Sequence, residues 1–210
     1  MNSETMPWVG FRVIPLVVID KADDIKFVMD ALLAGGIGVI EIGLRTDSAL
    51  DAIKKAVAEQ KMVVAAGTVR TSDQVHQVLD AGVAFGISPS SSESMMDTVL
   101  NVGLPFIPAI ATLTEAQVAS DRGFTDLKTY PTDLLGGEKF LKSVGAVMSE
   151  VRLIPAGGVS EQNLSSYLSE KNVLAVSGSW IASRELIAAR NFDEITLRAK
   201  RAQEIAMTHG

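Results

Sequence analysis

Short runs of apolar residues alternate along the chain with longer stretches in which apolar residues recur at helical spacing. Eight runs have the continuous hydrophobicity of strands covered on both faces of a parallel sheet, and they span residues 13–18, 39–43, 62–67, 84–88, 105–108, 127–130, 152–155 and 173–177. The intervening stretches often end at a glycine, and they predict helices over residues 23–34, 48–59, 71–81, 93–102, 115–122, 138–148, 161–170 and 193–207. The pattern therefore predicts repeated strand–helix units.

Such units, repeated at a spacing of roughly 20 to 25 residues, are typical of a parallel α/β fold. No linker or low-complexity segment divides them. We therefore expect one domain over residues 1–210, a (β/α)8 TIM barrel with a loose N-terminal extension of about residues 1–10. We also expect Trp8 or Phe11 to pack on the body of the protein. The alternative is an open doubly wound sheet, usually with a glycine-rich turn after its first strand. Residues 19–21 contain no glycine, which favours the barrel.

Composition narrows the class of protein. With 47% hydrophobic and 21% charged residues, the chain is expected to be globular. The net charge of −6 argues against a nucleic-acid surface. The absence of cysteine excludes disulfides, thiolate metal sites and a cysteine nucleophile. The apolar run at residues 13–19 is too short for a membrane span and lacks the flanks of a signal peptide, so we expect a cytoplasmic protein.

Lys128 stands in the middle of a short apolar run that stops at Pro131. Side chains alternate along a strand, so Lys128 and Tyr130 share one face. Two interpretations follow. Either Lys128 lies at a frayed strand end with its ammonium in water, which the stretch by itself favours, or it is a buried amine that attacks a carbonyl.

Glu41 is flanked by Ile40 and Ile42, which alternation directs toward the helices while the carboxylate faces the barrel interior. A buried carboxylate is costly without a positive partner, and Lys128 is the obvious one. The pair is then either a structural ion pair or a Schiff-base lysine with its proton shuttle.

Other candidates follow the carboxyl ends of predicted strands, where barrels place their sites. Arg45 has the planar fork that binds a carboxylate in two hydrogen bonds, unless it is a solvated surface residue. Thr68 either donates to the same carboxylate or caps the helix from residue 71. We also expect Pro89 and Tyr130 to contact substrate.

Two glycine-containing turns end the last two predicted strands. Glycines allow the backbone to approach a phosphate closely, and barrels commonly bind phosphate at this position. Either turn alone is weak evidence, because glycines also end strands for steric reasons. Together they predict a phosphate site at Gly157, Gly158, Gly178 and Ser179. The two histidines, His76 and His209, lie in a predicted surface helix and near the end of the chain, and no spacing suggests a metal site.

Seven segments together resemble the 2-keto-3-deoxy-6-phosphogluconate (KDPG) aldolases, also called KDPG/KHG aldolases. The similarity covers about residues 13 to 205. The segments are Ile14-Pro15-Leu16-Val17-Val18, Ile40-Glu41-Ile42-Gly43-Leu44-Arg45-Thr46, Ala66-Gly67-Thr68-Val69, Ile87-Ser88-Pro89, Leu127-Lys128-Thr129-Tyr130-Pro131, Pro155-Ala156-Gly157-Gly158-Val159 and Gly178-Ser179-Trp180.

The resemblance implies a homotrimeric class I aldolase on a (β/α)8 barrel that needs no metal or other cofactor. It implies cleavage of KDPG, a phosphorylated sugar acid, to pyruvate and glyceraldehyde 3-phosphate. It also implies roles for the candidate residues: Lys128 as Schiff-base lysine, Glu41 as general acid/base, Arg45 and Thr68 as carboxylate binders, and Gly157, Gly158, Gly178 and Ser179 as the phosphate site.

The chain departs from the family pattern at three places. Ala156 stands where a threonine is common, Thr129-Tyr130 replaces two apolar or aromatic residues, and residues 90–92 are serines in place of a glycine-containing turn. Two alternatives therefore stay open. One is a related aldolase for the C4-epimeric galactonate substrate or for 4-hydroxy-2-oxoglutarate, and the other is a non-catalytic phosphate-binding barrel.

Overall fold

The computed structural model describes residues 6–209, and within them short parallel strands alternate with helices. The strands are β1 (Val13–Val17), β2 (Val39–Gly43), β3 (Val63–Gly67), β4 (Phe85–Ile87), β5 (Phe106–Ile107), β6 (Ala109–Ile110), β7 (Asp126–Thr129), β8 (Arg152–Pro155) and β9 (Val176–Gly178). The helices are α1 (Asp24–Ala34), α2 (Ala49–Glu59), α3 (Ser72–Asp80), α4 (Glu93–Val102), α5 (Leu113–Asp121), α6 (Glu138–Val147), α7 (Glu161–Leu168), α8 (Arg184–Ala188) and α9 (Phe192–Met207).

Strand pairing gives a six-stranded sheet in the order β5-β4-β3-β2-β1-β9 and a three-stranded sheet in the order β6-β7-β8. Every pair is parallel, so within each sheet the carboxyl ends of the strands lie at the same edge. The strands are almost entirely buried, as a sheet covered by helices requires. The predicted parallel α/β fold is confirmed.

The fifth predicted strand, residues 105–108, is two short strands separated by Pro108. Proline has no N–H to give to a sheet ladder, and the chain changes partners there: β5 pairs with β4, while β6 pairs with β7. The Ala109 N–H instead meets the hydroxyls of Ser88 and Ser91, at 3.1 and 2.9 Å. Ser92 accepts from the Met95 N–H and begins α4. Two of the three serines that replace a glycine-containing turn, Ser91 and Ser92, therefore have structural partners.

The last predicted strand, residues 173–177, is also displaced. Val173 forms only an isolated parallel bridge with Leu153 of β8, and β9 begins at Val176, where the chain pairs with β1. Hydrogen bonds from Leu153 N–H to the Asn172 carbonyl and from Leu174 N–H to the Leu153 carbonyl, 2.6 and 2.9 Å, accompany the bridge. One extended segment thus contacts β8 first and β1 afterwards.

The start of α5 departs from its predicted bound because polar side chains cap the helix. In α5, Thr112 and Glu115 form a reciprocal capping box, which places the first helical residue at Leu113, two residues before the predicted start. Ser183 caps α8, a short helix between β9 and α9.

The N-terminal segment is anchored as far as it is described. Trp8 is buried, its Nε1 donates to Asp126 Oδ2 at 2.7 Å, and its ring packs edge-on against Phe85. The expected packing of Trp8 is confirmed, whereas the expected looseness is wrong for residues 6–10. Residues 1–5 of the expected extension lie outside the described residues. Between residues 6 and 209, no helix has the length and apolar character needed to cross a membrane.

Arg12 binds backbone carbonyls of three different segments near the C-terminus. Its Nη1 donates to the carbonyls of Val173 and Leu174 at 2.9 and 2.7 Å. Its Nη2 donates to the carbonyls of Leu168 and His209 at 3.0 and 3.2 Å. Burial lowers the pKa of this guanidinium from its usual value. One side chain therefore satisfies four carbonyls that α7, the bridge segment and the chain end leave free.

We expect Arg12→Met to lower the free energy of unfolding by about 2–4 kcal/mol, because partly buried carbonyls lose a charged donor. Urea denaturation followed by circular dichroism measures the change. Arg184→Met is the matched control, since the Arg184–Asp20 pair is exposed and is expected to contribute little. Equal effects of the two substitutions would contradict this assignment.

Candidate active site

Lys128 lies inside β7, with Ala109 of β6 and Ile154 of β8 as its neighbours in the sheet. Its side chain is only 4% exposed. The interpretation of Lys128 as a frayed strand end with a solvated ammonium is therefore wrong. The sequence favoured that interpretation because the run is short, but pairing on both sides keeps the strand inside the sheet.

Glu41 of β2 is completely buried, and its Oε1 accepts a hydrogen bond from Lys128 Nζ at 3.0 Å. The expected contact between these two side chains is confirmed. The residues come from different sheets, so only the curvature of the fold brings their tips together. Burial of both charges is tolerable because each neutralises the other.

Two further residues hold the Glu41 carboxylate in place. Ser177, fully buried in β9, donates its hydroxyl to Glu41 Oε2 at 2.7 Å. Gly67, at the end of β3, leaves the room that the carboxylate occupies, since a Cβ there would lie 2.4 Å from Glu41 Oε1. From the sequence, Ser177 was not predicted to contact Glu41. The signal in the sequence was a polar residue at the end of the predicted apolar run 173–177, because alternation can direct such a side chain toward the interior.

A cavity opens above Lys128 at the carboxyl ends of the strands. It is lined by Leu16, Arg45, Lys128, Tyr130, Ala156, Gly157, Gly158, Val159, Ser177, Gly178 and Ser179. Seven of the ten predicted site residues are therefore brought together. Glu41 lies buried beside Lys128, and Thr68 contacts Arg45. Pro89 is half-buried after β4 and is not among the residues that line this cavity.

Arg45 and Thr68 form one unit at the edge of the site, because Arg45 Nε donates to Thr68 Oγ1 at 3.0 Å. Thr68 has a φ of 59°, which costs a β-branched residue about 1–3 kcal/mol. The alternative that Thr68 caps α3 is wrong, since Thr71 accepts the hydrogen bond from the Gln74 N–H. Two donor side chains thus converge beside the cavity.

The glycines of both turns are required sterically. Gly157 and Gly158 have φ values of +80° and +76°. A Cβ on Gly158 would lie 2.2 Å from Asp133 Cγ, and one on Gly178 would lie 2.2 Å from the Trp180 ring. Close packing alone therefore explains these glycines. It also leaves bare backbone facing the cavity, just before the N-terminus of α7.

Thr129, one of the departures from the family pattern, has a partner within the chain. Its Oγ1 lies 2.6 Å from Thr132 Oγ1, and Thr132 also donates to the Thr129 carbonyl. The Ala156 N–H donates to Thr132 Oγ1 at 3.1 Å. These buried contacts tie the end of β7 to β8 immediately beside Lys128.

In the described part of the chain, no group of three or more His, Asp or Glu side chains is arranged to hold a metal ion. His76 is exposed on α3, and His209 Nε2 lies 2.9 Å from Ser165 Oγ. Neither histidine lines the cavity.

Comparison with known proteins identifies the family. The family model described as KDPG and KHG aldolase matches residues 9–198. The KHG/KDPG aldolase of Escherichia coli K12 is 37% identical over 194 residues, which cover 91% of each chain.

Two aldolases are among the solved structures that share this fold. One is the KDPG aldolase of Legionella pneumophila with pyruvate captured at low pH as a covalent carbinolamine intermediate; it is 33% identical, has a TM-score of 0.92 and covers 95% of this chain and 98% of its own. The other is the 2-keto-3-deoxy-6-phosphogluconate aldolase of Zymomonas mobilis ZM4 with 3-phosphoglycerate, 33% identical, with a TM-score of 0.85 and 91% and 90% coverage. The chain belongs to the KDPG and KHG aldolase family.

Proposed function

We propose that this protein is a class I aldolase that cleaves KDPG to pyruvate and glyceraldehyde 3-phosphate through a Schiff base on Lys128. The observation that carries the proposal is the buried contact between Lys128 Nζ and Glu41 Oε1, 3.0 Å apart, beside a cavity at the carboxyl ends of the strands. A nucleophilic amine within hydrogen-bond distance of an acid/base group is the minimum apparatus for imine chemistry.

The reaction follows from this geometry. Lys128 first passes one ammonium proton to Glu41 and then attacks the C2 ketone as a neutral amine. A nitrogen proton moves to the new alkoxide, and Glu41 gives its proton to the carbinolamine hydroxyl, which leaves as water. Glu41 then takes the proton of the C4 hydroxyl as the C3–C4 bond breaks, and the protonated imine accepts the bonding electrons. The aldehyde departs, the enamine is protonated at C3, and water hydrolyses the imine to release pyruvate. A positive nitrogen fixed in a water-poor site supplies much of the acceleration.

The remaining polar groups fit the two ends of the substrate. Arg45 and Thr68, joined at 3.0 Å, would bind the carboxylate next to C2. Gly157, Gly158, Gly178 and Ser179 would bind the phosphate with backbone N–H groups near the N-terminus of α7. Tyr130 lines the cavity between these ends, whereas Pro89 stays a predicted contact without support from the cavity lining.

An assay of pyruvate release from KDPG, coupled to lactate dehydrogenase, tests the proposal. Because no step uses a metal, we expect the same rate with and without a chelator. A protein that binds a sugar phosphate in calorimetry but releases no pyruvate would instead be the non-catalytic phosphate-binding barrel. The retained Lys128–Glu41 contact counts against that alternative.

A second proposed substrate is 4-hydroxy-2-oxoglutarate, abbreviated KHG. It is suggested because the Escherichia coli relative is a KHG/KDPG aldolase. The galactonate epimer of KDPG is the other alternative. Ala156 bears on both, because it lines the cavity and has no hydroxyl to offer the middle of the substrate. The ratio of kcat/KM values for the three substrates decides among them.

We expect Ala156→Thr to raise kcat/KM for KDPG about fivefold relative to its C4 epimer, as one added hydrogen bond of about 1 kcal/mol would. Ala156→Val is the matched control, since it has the shape of threonine without the hydroxyl. An identical change in the epimer ratio for both variants would show that bulk, not hydrogen bonding, governs the preference.

We also propose that residues 1–210 form one domain, a closed (β/α)8 barrel that carries this site. Two features support closure. Strands β5 and β6 follow one another directly across Pro108, which joins the two sheets on one side. The bridge between Leu153 and Val173 joins them on the other. The homotrimer and the cytoplasmic location stay predictions.

A further inference from the structure

Ser177 is a buried hydroxyl to which the reaction above gives no part. It is the middle residue of β9, none of its surface is exposed, and its only side-chain partner in the described part of the chain is Glu41. A buried hydroxyl without a partner costs free energy, so its 2.7 Å hydrogen bond to Glu41 Oε2 fixes where the hydroxyl points.

The two oxygens of Glu41 therefore have different partners. Oε1 accepts from Lys128, whose amine changes during the reaction, whereas Oε2 accepts from Ser177, which takes no part in bond making. The backbone of Gly67 packs against the same carboxylate. Rotation of the carboxylate would give up the Ser177 bond.

We propose that Ser177 is a positioning residue that holds Oε2 of Glu41 throughout the cycle and so reserves Oε1 for proton transfer to the substrate. The inference rests on the proposed aldolase function. Once Lys128 becomes an imine, its nitrogen is bonded to substrate C2 and Oε1 loses its ammonium partner. The Ser177 bond then keeps Oε1 aimed at the substrate rather than free to turn.

One partial reaction isolates this step. In the imine of pyruvate, Glu41 takes a proton from the C3 methyl group, leaving the enamine and a carboxylic acid, and returns a proton to C3 to restore the imine. In D₂O the returned proton exchanges with solvent, so deuterium enters the methyl group of pyruvate. Imine formation itself is read separately by borohydride trapping of pyruvate.

We expect Ser177→Ala to slow deuterium incorporation about tenfold while the fraction of protein trapped at saturating pyruvate stays within twofold of the parent. Proton NMR of the pyruvate methyl signal measures the first quantity, and intact mass measures the second. Thermal denaturation establishes that the variant is folded. Ser72→Ala is the matched control, because it removes a serine hydroxyl that pairs with Thr98 Oγ1 at 2.8 Å between α3 and α4, and we expect normal exchange.

A double-mutant cycle separates positioning from a merely structural role. In a Glu41→Gln background the imine still acidifies the C3 protons, so buffer-catalysed exchange remains measurable. If Ser177 acts through Glu41, adding Ser177→Ala there changes the exchange rate less than twofold. Equal effects in both backgrounds, or exchange in Ser177→Ala within twofold of the parent, would overturn the inference. Failure of the parent protein to trap pyruvate would instead refute the aldolase function itself.

Discussion

Replacing Lys128 by methionine is expected to reduce pyruvate release from KDPG by roughly 10⁴-fold or more, because no other described residue that lines the cavity carries an amine. Methionine fills nearly the same volume without an amine. In the structure Lys128 is the cavity residue whose nitrogen meets Glu41. The coupled assay of pyruvate release measures the loss.

Lys142→Met is the matched control for this prediction. Lys142 is 62% exposed on α6 and pairs with Glu170 and Glu138, so its loss should leave the rate unchanged. A folded Lys128→Met protein that retained more than a few per cent of the parent rate would refute the nucleophile assignment. A similar loss in Lys142→Met would show that general damage, not missing chemistry, explains the result.

Glu41→Gln is expected to lower kcat by about 10²- to 10⁴-fold, the range typical of a lost general acid/base. The substitution keeps the shape of the side chain and its capacity to accept from Ser177, so the fold around it is preserved. Pyruvate should still be trapped by borohydride after long incubation, because Lys128 remains, although the imine forms more slowly without the Glu41 proton. The rate of pyruvate release and the trapped fraction therefore separate the two roles.

Stability provides an independent view of the same pair. Breaking a buried ion pair by removing one partner typically costs about 3–5 kcal/mol, because the other charge stays buried without compensation. We therefore expect Lys128→Met alone to be destabilised, and Lys128→Met combined with Glu41→Gln to recover part of that loss in urea denaturation. Additive destabilisation would contradict a mutual neutralisation of the two charges.

The strand–helix rhythm could be predicted from sequence because continuous apolar runs and helical spacing are local signals. The bounds of β2, α4 and β8 agree with the predicted ones. The predicted strand bounds are wrong where the chain passes from pairing with one strand to pairing with another. Pro108 divides a strand between two partners, and the segment from Val173 to Val176 passes from β8 to β1. Such choices depend on how the two sheets meet in three dimensions, which no local pattern encodes.

Some contacts of the candidate site could likewise be predicted from the sequence, and others could not. Side-chain alternation was sufficient to direct Glu41 and Lys128 to one interior. Alternation does not give the depth of a residue or the length of a neighbouring strand, so it could not exclude a frayed end for Lys128. It also could not reveal that Ser177 reaches across β1 to Glu41, or that Thr132 gives Thr129 a partner. These contacts link residues that are distant in sequence or depend on one turn conformation.

The role of Lys128 is tested most directly by reducing the protein with borohydride in the presence of pyruvate, followed by peptide mass spectrometry. We expect one added reduced pyruvyl group per chain, located on Lys128, and none in Lys128→Met. Modification of a different lysine, or equal trapping by Lys128→Met, would contradict that role.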